Sequence, residues 1–453
     1  MTLLQWVRRN RTHPALLIGA TLFAGGLFKL SAFAREAFIA ARFGLSTVTD
    51  TYFGLQQFPL TLATFMFGAF SLAFTPAYAE ARRRSDSVSW LPGLTLYGCL
   101  LGALLTVLML VSAPWLLRLF SSTPSAASWN TLALLSLCYL PIFFIGVAAS
   151  IYMAEGSNLS AMTITGLPYL VMTLALLALY AAHALNNLGL PISMTVGFAL
   201  VGLYASVRVI GLNVAGSKPG MPNVGALWAT WRQPDFRAFL RELGASSIEN
   251  LGYAGNQLLI LFFLARAGTG AISANTCGMR VGLIGYSLLA QPLAQLVQAR
   301  LCAVDSPARP AVFRRWFLLV ASGVFLMALF VYVFRVMVIR LVYMHGKFQN
   351  TELNEVAAML PPWIGYFIVM SLNAIVTRYM FTDNKGTIYV RRQLGAYGAA
   401  NILRLLTAAA FGPAWIIWCS VLTEASVMVL NLRTCLFAHS SQPLPELVGV
   451  EEA

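Results

Sequence analysis

Lys29, Arg35 and Glu36 stand inside a segment, Pro14 to Phe43, that is otherwise apolar or small up to Arg42 at its end. On a helix, Lys29 and Glu36 are seven apart and nearly share a face, while Arg35 lies about a third of a turn away. Glu36 is therefore expected to neutralise Lys29 in part and to leave Arg35 as the exposed cation. Arginine suits phosphate because its planar fork donates two hydrogen bonds to one anion. Two readings fit the cluster: an ion-paired network between packed helices, or cations lining a cavity for a phosphate or diphosphate. The second is favoured, because a charge near the centre of a bilayer costs about 3 kcal/mol and is usually kept for function.

Other polar residues in apolar surroundings extend the set. Arg280 follows Cys277-Gly278-Met279 in the eighth apolar segment, and Glu249 and Asn250 lie near the middle of the seventh. The latter pair suits a cation-coupling or proton site, and equally a cap for Arg280. Gln291, Gln295 and Gln298 form a helical stripe that reads as cavity lining or as interhelical hydrogen bonding. Arg208, Arg335, Arg340 and Arg404 lie nearer segment ends, where snorkelling is expected, and Glu424 is expected to pair with Arg404. The six cysteines and four histidines have no metal-ligand spacing, so neither a metal nor a cofactor is expected.

The elements that must position these groups are membrane helices. Hydrophobic residues make up 58% of the chain and charged residues 10%, with mean hydropathy +0.73. A soluble domain carries about 25% charged residues, so the composition is that of a polytopic membrane protein. Net charge is +14. The excess follows the topology rather than a nucleic-acid partner: basic residues gather before the first segment and after the even-numbered ones, as at Arg82 to Arg84 and Arg391-Arg392. That alternation predicts an all-α protein of about 12 transmembrane helices with both termini cytoplasmic. Ala32-Phe33-Ala34 resembles a signal-peptidase site, but the helical pattern continues to Phe43, which argues against cleavage.

The expected spans are 14–43, 48–79, 89–119, 127–154, 160–183, 190–212, 236–265, 270–302, 311–343, 353–381, 386–411 and 413–437. The longest polar break divides them into an N-terminal lobe (1–212), a cytoplasmic linker (213–235), a C-terminal lobe (236–437) and a cytoplasmic tail (438–453). Ala41-Arg42-Phe43-Gly44 closes the first span, and Ala265-Arg266-Ala267-Gly268 closes the seventh at an offset of 224 residues. The echo suggests duplicated six-helix lobes about a twofold axis along the membrane normal, with a central cavity between them.

The run Lys29-Leu-Ser-Ala-Phe-Ala-Arg35-Glu36-Ala-Phe-Ile-Ala-Ala-Arg42-Phe-Gly44, followed by Thr49-Asp50-Thr-Tyr-Phe53, resembles the MurJ/MviN lipid II flippase family. The likeness continues through Phe67-Gly-Ala-Phe70, Ala73-Phe74, Pro76 and Ala79-Glu80. It is thinner at Arg280, His345-Gly-Lys-Phe348 and Tyr379 to Thr387. The resemblance implies the multidrug/oligosaccharidyl-lipid/polysaccharide exporter fold, alternating access, and the bacterial cytoplasmic membrane. It also implies an undecaprenyl-diphosphate-linked saccharide as substrate, with Lys29, Arg35 and Arg280 on the diphosphate and Asp50 near the periplasmic gate. Three departures stand out: Lys29 replaces an arginine, Leu62-Ala63-Thr64 falls where the family has a helix-two arginine, and twelve helices replace fourteen. Lipid II and an exopolysaccharide repeat unit both fit the altered pattern.

The expected activity is thus a flippase, not an enzyme, with the lipid-linked saccharide and membrane lipids as partners and a coupling cation as a further candidate. A drug or metabolite antiporter of the same superfamily is the nearest rival, although cationic drugs would be repelled by a basic cavity. A glycan polymerase or ligase would need a sizeable extracytoplasmic loop, and the loop with His345, Lys347, Glu352 and Glu355 is short.

Overall fold

The structure is a computed structural model that describes residues 14–84, 88–120, 126–155, 157–215, 224–286, 290, 293–294, 297, 301, 308–343, 346–383, 385–408 and 410–437. Among these residues all regular structure is helical. The first span is α1 (Pro14–Phe43), ended by Gly44 in the left-handed region (φ 66°). A capping box of Ser46 and Thr49 then starts the second span. This span is α2 (Thr47–Leu55), α3 (Gln57–Phe65), a π-turn (Met66–Phe70) and α4 (Ser71–Arg84), bent by 44°. A π-turn leaves the helix ladder out of register, which is a recognised cause of such a kink.

The rest of the first lobe is α5 (Leu91–Val111), α6 (Ala113–Phe120), α7 (Ala126–Ser136), α8 (Tyr139–Ala154), α9 (Asn158–Ala181) and α10 (Gly189–Ala215). A short α11 (Val224–Arg232) leads into α12 (Pro234–Ala267), the first long helix of the second lobe. It is followed by α13 (Ala271–Gly285), α14 (Arg309–Val333), α15 (Arg335–Tyr343), α16 (Asn350–Thr382), α17 (Gly386–Thr407) and α18 (Pro413–Phe437). Much of the expected 213–235 linker is therefore helical, and the 438–453 tail lies outside the described residues.

Eleven of the expected spans fall on helix; of the eighth, Ala271–Gly285 is helix and most of 287–302 lies outside the described residues. Among the described residues, seven helices are long and apolar enough to cross a membrane, or eight with the bent second span included. α1 and α17 fall outside that set while carrying the charges that matter: Lys29, Arg35 and Glu36 on the first, Arg391, Arg392 and Arg404 on the second. Helices such as α5 and α14 bury little of their apolar length, and Leu104, Val107, Leu326 and Phe330 stand exposed, as lipid-facing residues do.

Within the first lobe α1 packs on α9, and α10 on α8 and α9; within the second, α16 packs on α13, α14 and α18. The lobes meet along two seams. α12 runs beside α3, the π-turn and α4 of the second span, and α13 and α15 lie against α1 and α2. At one end of the α12 seam, Phe70, Phe74 and Trp90 interlock with Phe236 and Phe239.

Candidate functional site

The rotation of α1 decides which of its charges faces the other lobe. Ser31 Oγ lies 3.0 Å from Thr173 Oγ1, and Thr173 in turn donates to the Ser31 carbonyl, pinning α1 to α9. Arg35 consequently turns into its own lobe. Its guanidinium is 1% exposed, with Nη1 2.8 Å from Met172 Sδ and Nη2 3.4 Å from Glu36 Oε1. Glu36 is fully buried and faces across the seam.

The second lobe supplies its partner through α13. Asn275, Gly278 and Gly282 share one face of that helix. Asn275 accepts from Trp363 Nε1 at 3.0 Å, and a β-carbon at Gly282 would stand 2.7 Å from Trp363. That face is thus fixed against α16. Arg280, about 200° round the helix from Gly278, is turned to α1. Its Nε lies 2.7 Å from Glu36 Oε2, an ion pair across the lobes in which the N–H is not aimed at the oxygen. The Arg280 side chain remains 31% exposed.

Lys29 is exposed and stands two helical turns from Glu36 on nearly the same face, within electrostatic reach of Arg280. The cluster thus holds three cations and one carboxylate, and its two accessible cations come from different lobes. Such a set can receive an anion that bridges the lobes. Two expectations are corrected. Glu36 pairs with Arg280 and Arg35 rather than with Lys29, and of the two cations Lys29 and Arg35 it is Lys29 that is exposed.

Asp50 joins the lobes one layer away. Its Oδ1 accepts from the Ser273 amide at 2.8 Å and from Ser273 Oγ at 2.6 Å, and its Oδ2 accepts from the Gly270 amide at 2.5 Å. These donors are the open N-terminus of α13, where a carboxylate is favoured by both the free amides and the helix dipole. Gly270 itself has φ 89°. The cap is supplied by the other lobe, so it is also a latch. Ser273 Oγ lies 2.9 Å from Thr49 Oγ1 at a separation of 224 residues, the offset of the internal echo. Equivalent positions of the two halves therefore touch where a twofold axis would pass.

The same layer holds two further contacts between lobes. Glu352 Oε1 accepts from the Leu45 amide at 2.6 Å, and the Lys347 amide donates to the Ala41 carbonyl at 2.7 Å. Gly346 (φ 65°) is needed there because a β-carbon would collide with the Ala41 carbonyl oxygen. Sequence reasoning did not give Ser273, Gly270 or Glu352 a part in this closure. Thr49 and Ser273 were detectable as an offset-224 pair; Glu352 had no local signal.

The remaining expected residues fall into three groups. Gln291, Gln295, Gln298 and His345 lie outside the described residues, as does the side chain of Glu249. Asn250 is half-buried against the π-turn, its Oδ1 3.5 Å from the place of a Gly68 β-carbon. Arg404 and Glu424 do not form the expected pair. Arg404 is fully buried instead of snorkelling, and Glu424 accepts from Tyr366 Oη at 2.8 Å. The described residues contain no group of three or more His, Cys, Asp or Glu side chains placed to hold a metal.

Comparison with known proteins identifies the fold and the family. The family model for the lipid II flippase MurJ matches residues 39–390. No individual curated protein matches the sequence. Among solved structures, a lipid II flippase MurJ in an inward-closed conformation is similar with TM-score 0.74 and 18% identity, over 92% of this chain and 87% of that one. An inward-facing multidrug resistance MATE transporter of the MOP superfamily follows at TM-score 0.71 and 12% identity, over 91% and 96%. An outward-facing MATE transporter matches at TM-score 0.64 and 12% identity, over 93% and 95%. With more than half of its length on the family model, and the same two-lobed fold, this multi-pass membrane protein belongs to the MurJ lipid II flippase family.

Proposed function

We propose that the protein flips a polyprenyl-diphosphate-linked saccharide, lipid II or an exopolysaccharide repeat unit, from the cytoplasmic to the outer leaflet of the bacterial inner membrane. The carrying observation is the Glu36–Arg280 pair with Lys29 beside it, a cationic site shared by two lobes. The diphosphate docks on Lys29 and Arg280, while buried Arg35 holds Glu36 and adds positive field. Lys29 meets the anion as a point charge and Arg280 as a fork. The sugar occupies the cavity and the polyprenyl tail stays in lipid.

In this reading the Asp50, Glu352 and Lys347 layer is the outer gate, drawn closed. A diphosphate arriving at Arg280 competes with Glu36 for the guanidinium. That competition loosens the bond between lobes on the side where substrate enters, and lobe rocking then breaks the Asp50 cap. The same basic site disfavours the cationic substrates of a drug antiporter.

The test is transport by the purified full chain in proteoliposomes, read as the rate at which a lipid-linked diphosphate saccharide becomes accessible outside. Charge removal at Lys29 and Arg280 together is expected to abolish it while folded protein is recovered. Wild-type flipping by the K29A/R280A double variant would overturn the assignment. Lipid II and an exopolysaccharide lipid offered in parallel decide between the two saccharides.

A further inference from the structure

Arg404 is the strangest charge in the molecule. It sits near the C-terminal end of α17, is 0% exposed, and has no carboxylate within 4.0 Å among the described residues. Its partners are neutral oxygens from three helices. Nε donates to the Ile416 carbonyl at 2.8 Å and Nη1 to Asn256 Oδ1 at 2.7 Å. Nη1 also donates to Asn401 Oδ1, and Nη2 to Ser420 Oγ. Asn256 Nδ2 closes the ring on Ser420 Oγ at 3.3 Å.

Four oxygens from α12, α17 and α18 thus converge on one positive charge. A buried charge is normally held by an opposite charge, because burial without one is costly. Here every direct contact is an uncharged oxygen. Oxygen-only donor sets are also what hard cations select. Guanidinium is the cationic side chain best fitted to such a place, being weakly hydrated and always charged. Glu424, one turn beyond Ser420, is held by Tyr366 and adds negative potential without contact.

We propose that this cage is a cation site of the second lobe which the chain fills with its own guanidinium, so that the packing of α12, α17 and α18 needs no soluble cation. Removing the side chain leaves four converging oxygens with too few donors and a space shaped for a small cation. A molecule with a fixed internal charge is expected to run at the same rate in any monovalent salt. Loss of the tether converts it into a cation-dependent one. The transport half of this statement rests on the proposed flippase reading; the stability half does not.

The experiment is thermal unfolding of the purified full chain, wild type and R404A, in methylguanidinium, sodium, potassium and choline chlorides at one ionic strength. Wild type should unfold at one temperature in all four. R404A should unfold several degrees lower in choline and recover in methylguanidinium, with sodium or potassium between. An R404A protein as stable as wild type in choline, or rescued equally by choline, overturns the proposal. If R404A does not fold, N256D in the wild-type background carries the test. A carboxylate beside Arg404 should hold or raise the unfolding temperature, and a fall overturns the cage reading. Normal salt behaviour in unfolding together with no flipping counts against the proposed function alone.

Discussion

Two arginines set in apolar helices of the second lobe solve the same electrostatic problem differently. Arg280 faces the first lobe, keeps about a third of its surface open (31%) and is neutralised by one carboxylate. Arg404 faces its own lobe, is closed to solvent and is neutralised by neutral oxygens. A carboxylate can be displaced by a stronger anion, because phosphate also offers charge and two acceptors. A cage of dipoles from three helices cannot be exchanged without pulling the helices apart. The difference separates a charge available to substrate from a charge that holds structure.

The largest effect expected from breaking this contrast is at Glu36. Glu36→Gln removes the only carboxylate that touches Arg35 and Arg280 among the described residues. Breaking a buried ion pair from one side typically costs about 3–5 kcal/mol, and partial exposure of Arg280 places this case at the lower end, about 3 kcal/mol. A clear drop in unfolding temperature is expected. A diphosphate ligand should restore part of it, because the anion takes the place of the missing carboxylate. A variant that keeps wild-type stability would mean that the Arg280 charge is compensated elsewhere.

Next in size is the latch. Asp50→Ala strips the cap from α13, where three donors converge on one carboxylate. Loss of a helix cap costs about 1–2 kcal/mol, a factor of roughly ten in the balance between closed and open gate. Labelling of a Ser273→Cys reporter by an impermeant thiol reagent from outside should rise accordingly. Asp50→Asn keeps one acceptor oxygen for the cap but turns an NH2 donor on the remaining amide, and is expected to lie between. Gly346→Ala attacks the same layer through its φ of 65° and the Ala41 carbonyl, and should raise labelling without touching the cap. Unchanged labelling in both Asp50→Ala and Gly346→Ala would remove this layer from the gate.

How far the residues announced this arrangement depends on what encodes it. The helical class and the spans were legible because a bilayer forces apolar runs of fixed length. The Lys29, Arg35 and Glu36 set was legible because charges in such runs are conspicuous. Which of the three faces the cavity was not. Their angular spacing fixes relative directions only, and Ser31 with Thr173 sets the absolute rotation. Pairings between lobes, such as Glu36 with Arg280 or Asp50 with Gly270, depend on packing between residues more than 200 positions apart, and only the Thr49–Ser273 contact left a trace in the repeat. Arg404 was misread because distance from a segment end says nothing about which face of the helix is buried.

The smallest expected effect lies at the N-terminal end of α12, beside the aromatic cluster. Arg84 Nη1 is 3.1 Å from Asp235 Oδ1, and Arg84 Nη2 is 3.0 Å from Glu80 Oε1, with all three side chains about half exposed. Ser89 Oγ and Gln233 Oε1 bridge the same junction at 3.0 Å. Exposed pairs are worth about 0.2–1 kcal/mol and are screened by salt. The adjoining cluster of Phe74, Trp90, Phe236 and Phe239 is buried and independent of salt. Arg84→Gln should therefore change unfolding and flipping only slightly, and any change should vanish at high salt. Phe239→Ala, which empties the middle of the aromatic cluster, should cost about 3–5 kcal/mol at any salt concentration. If the arginine proves the more costly of the two, the seam is closed by charge on this face as it is at Asp50, and the contrast between the two ends of the molecule disappears.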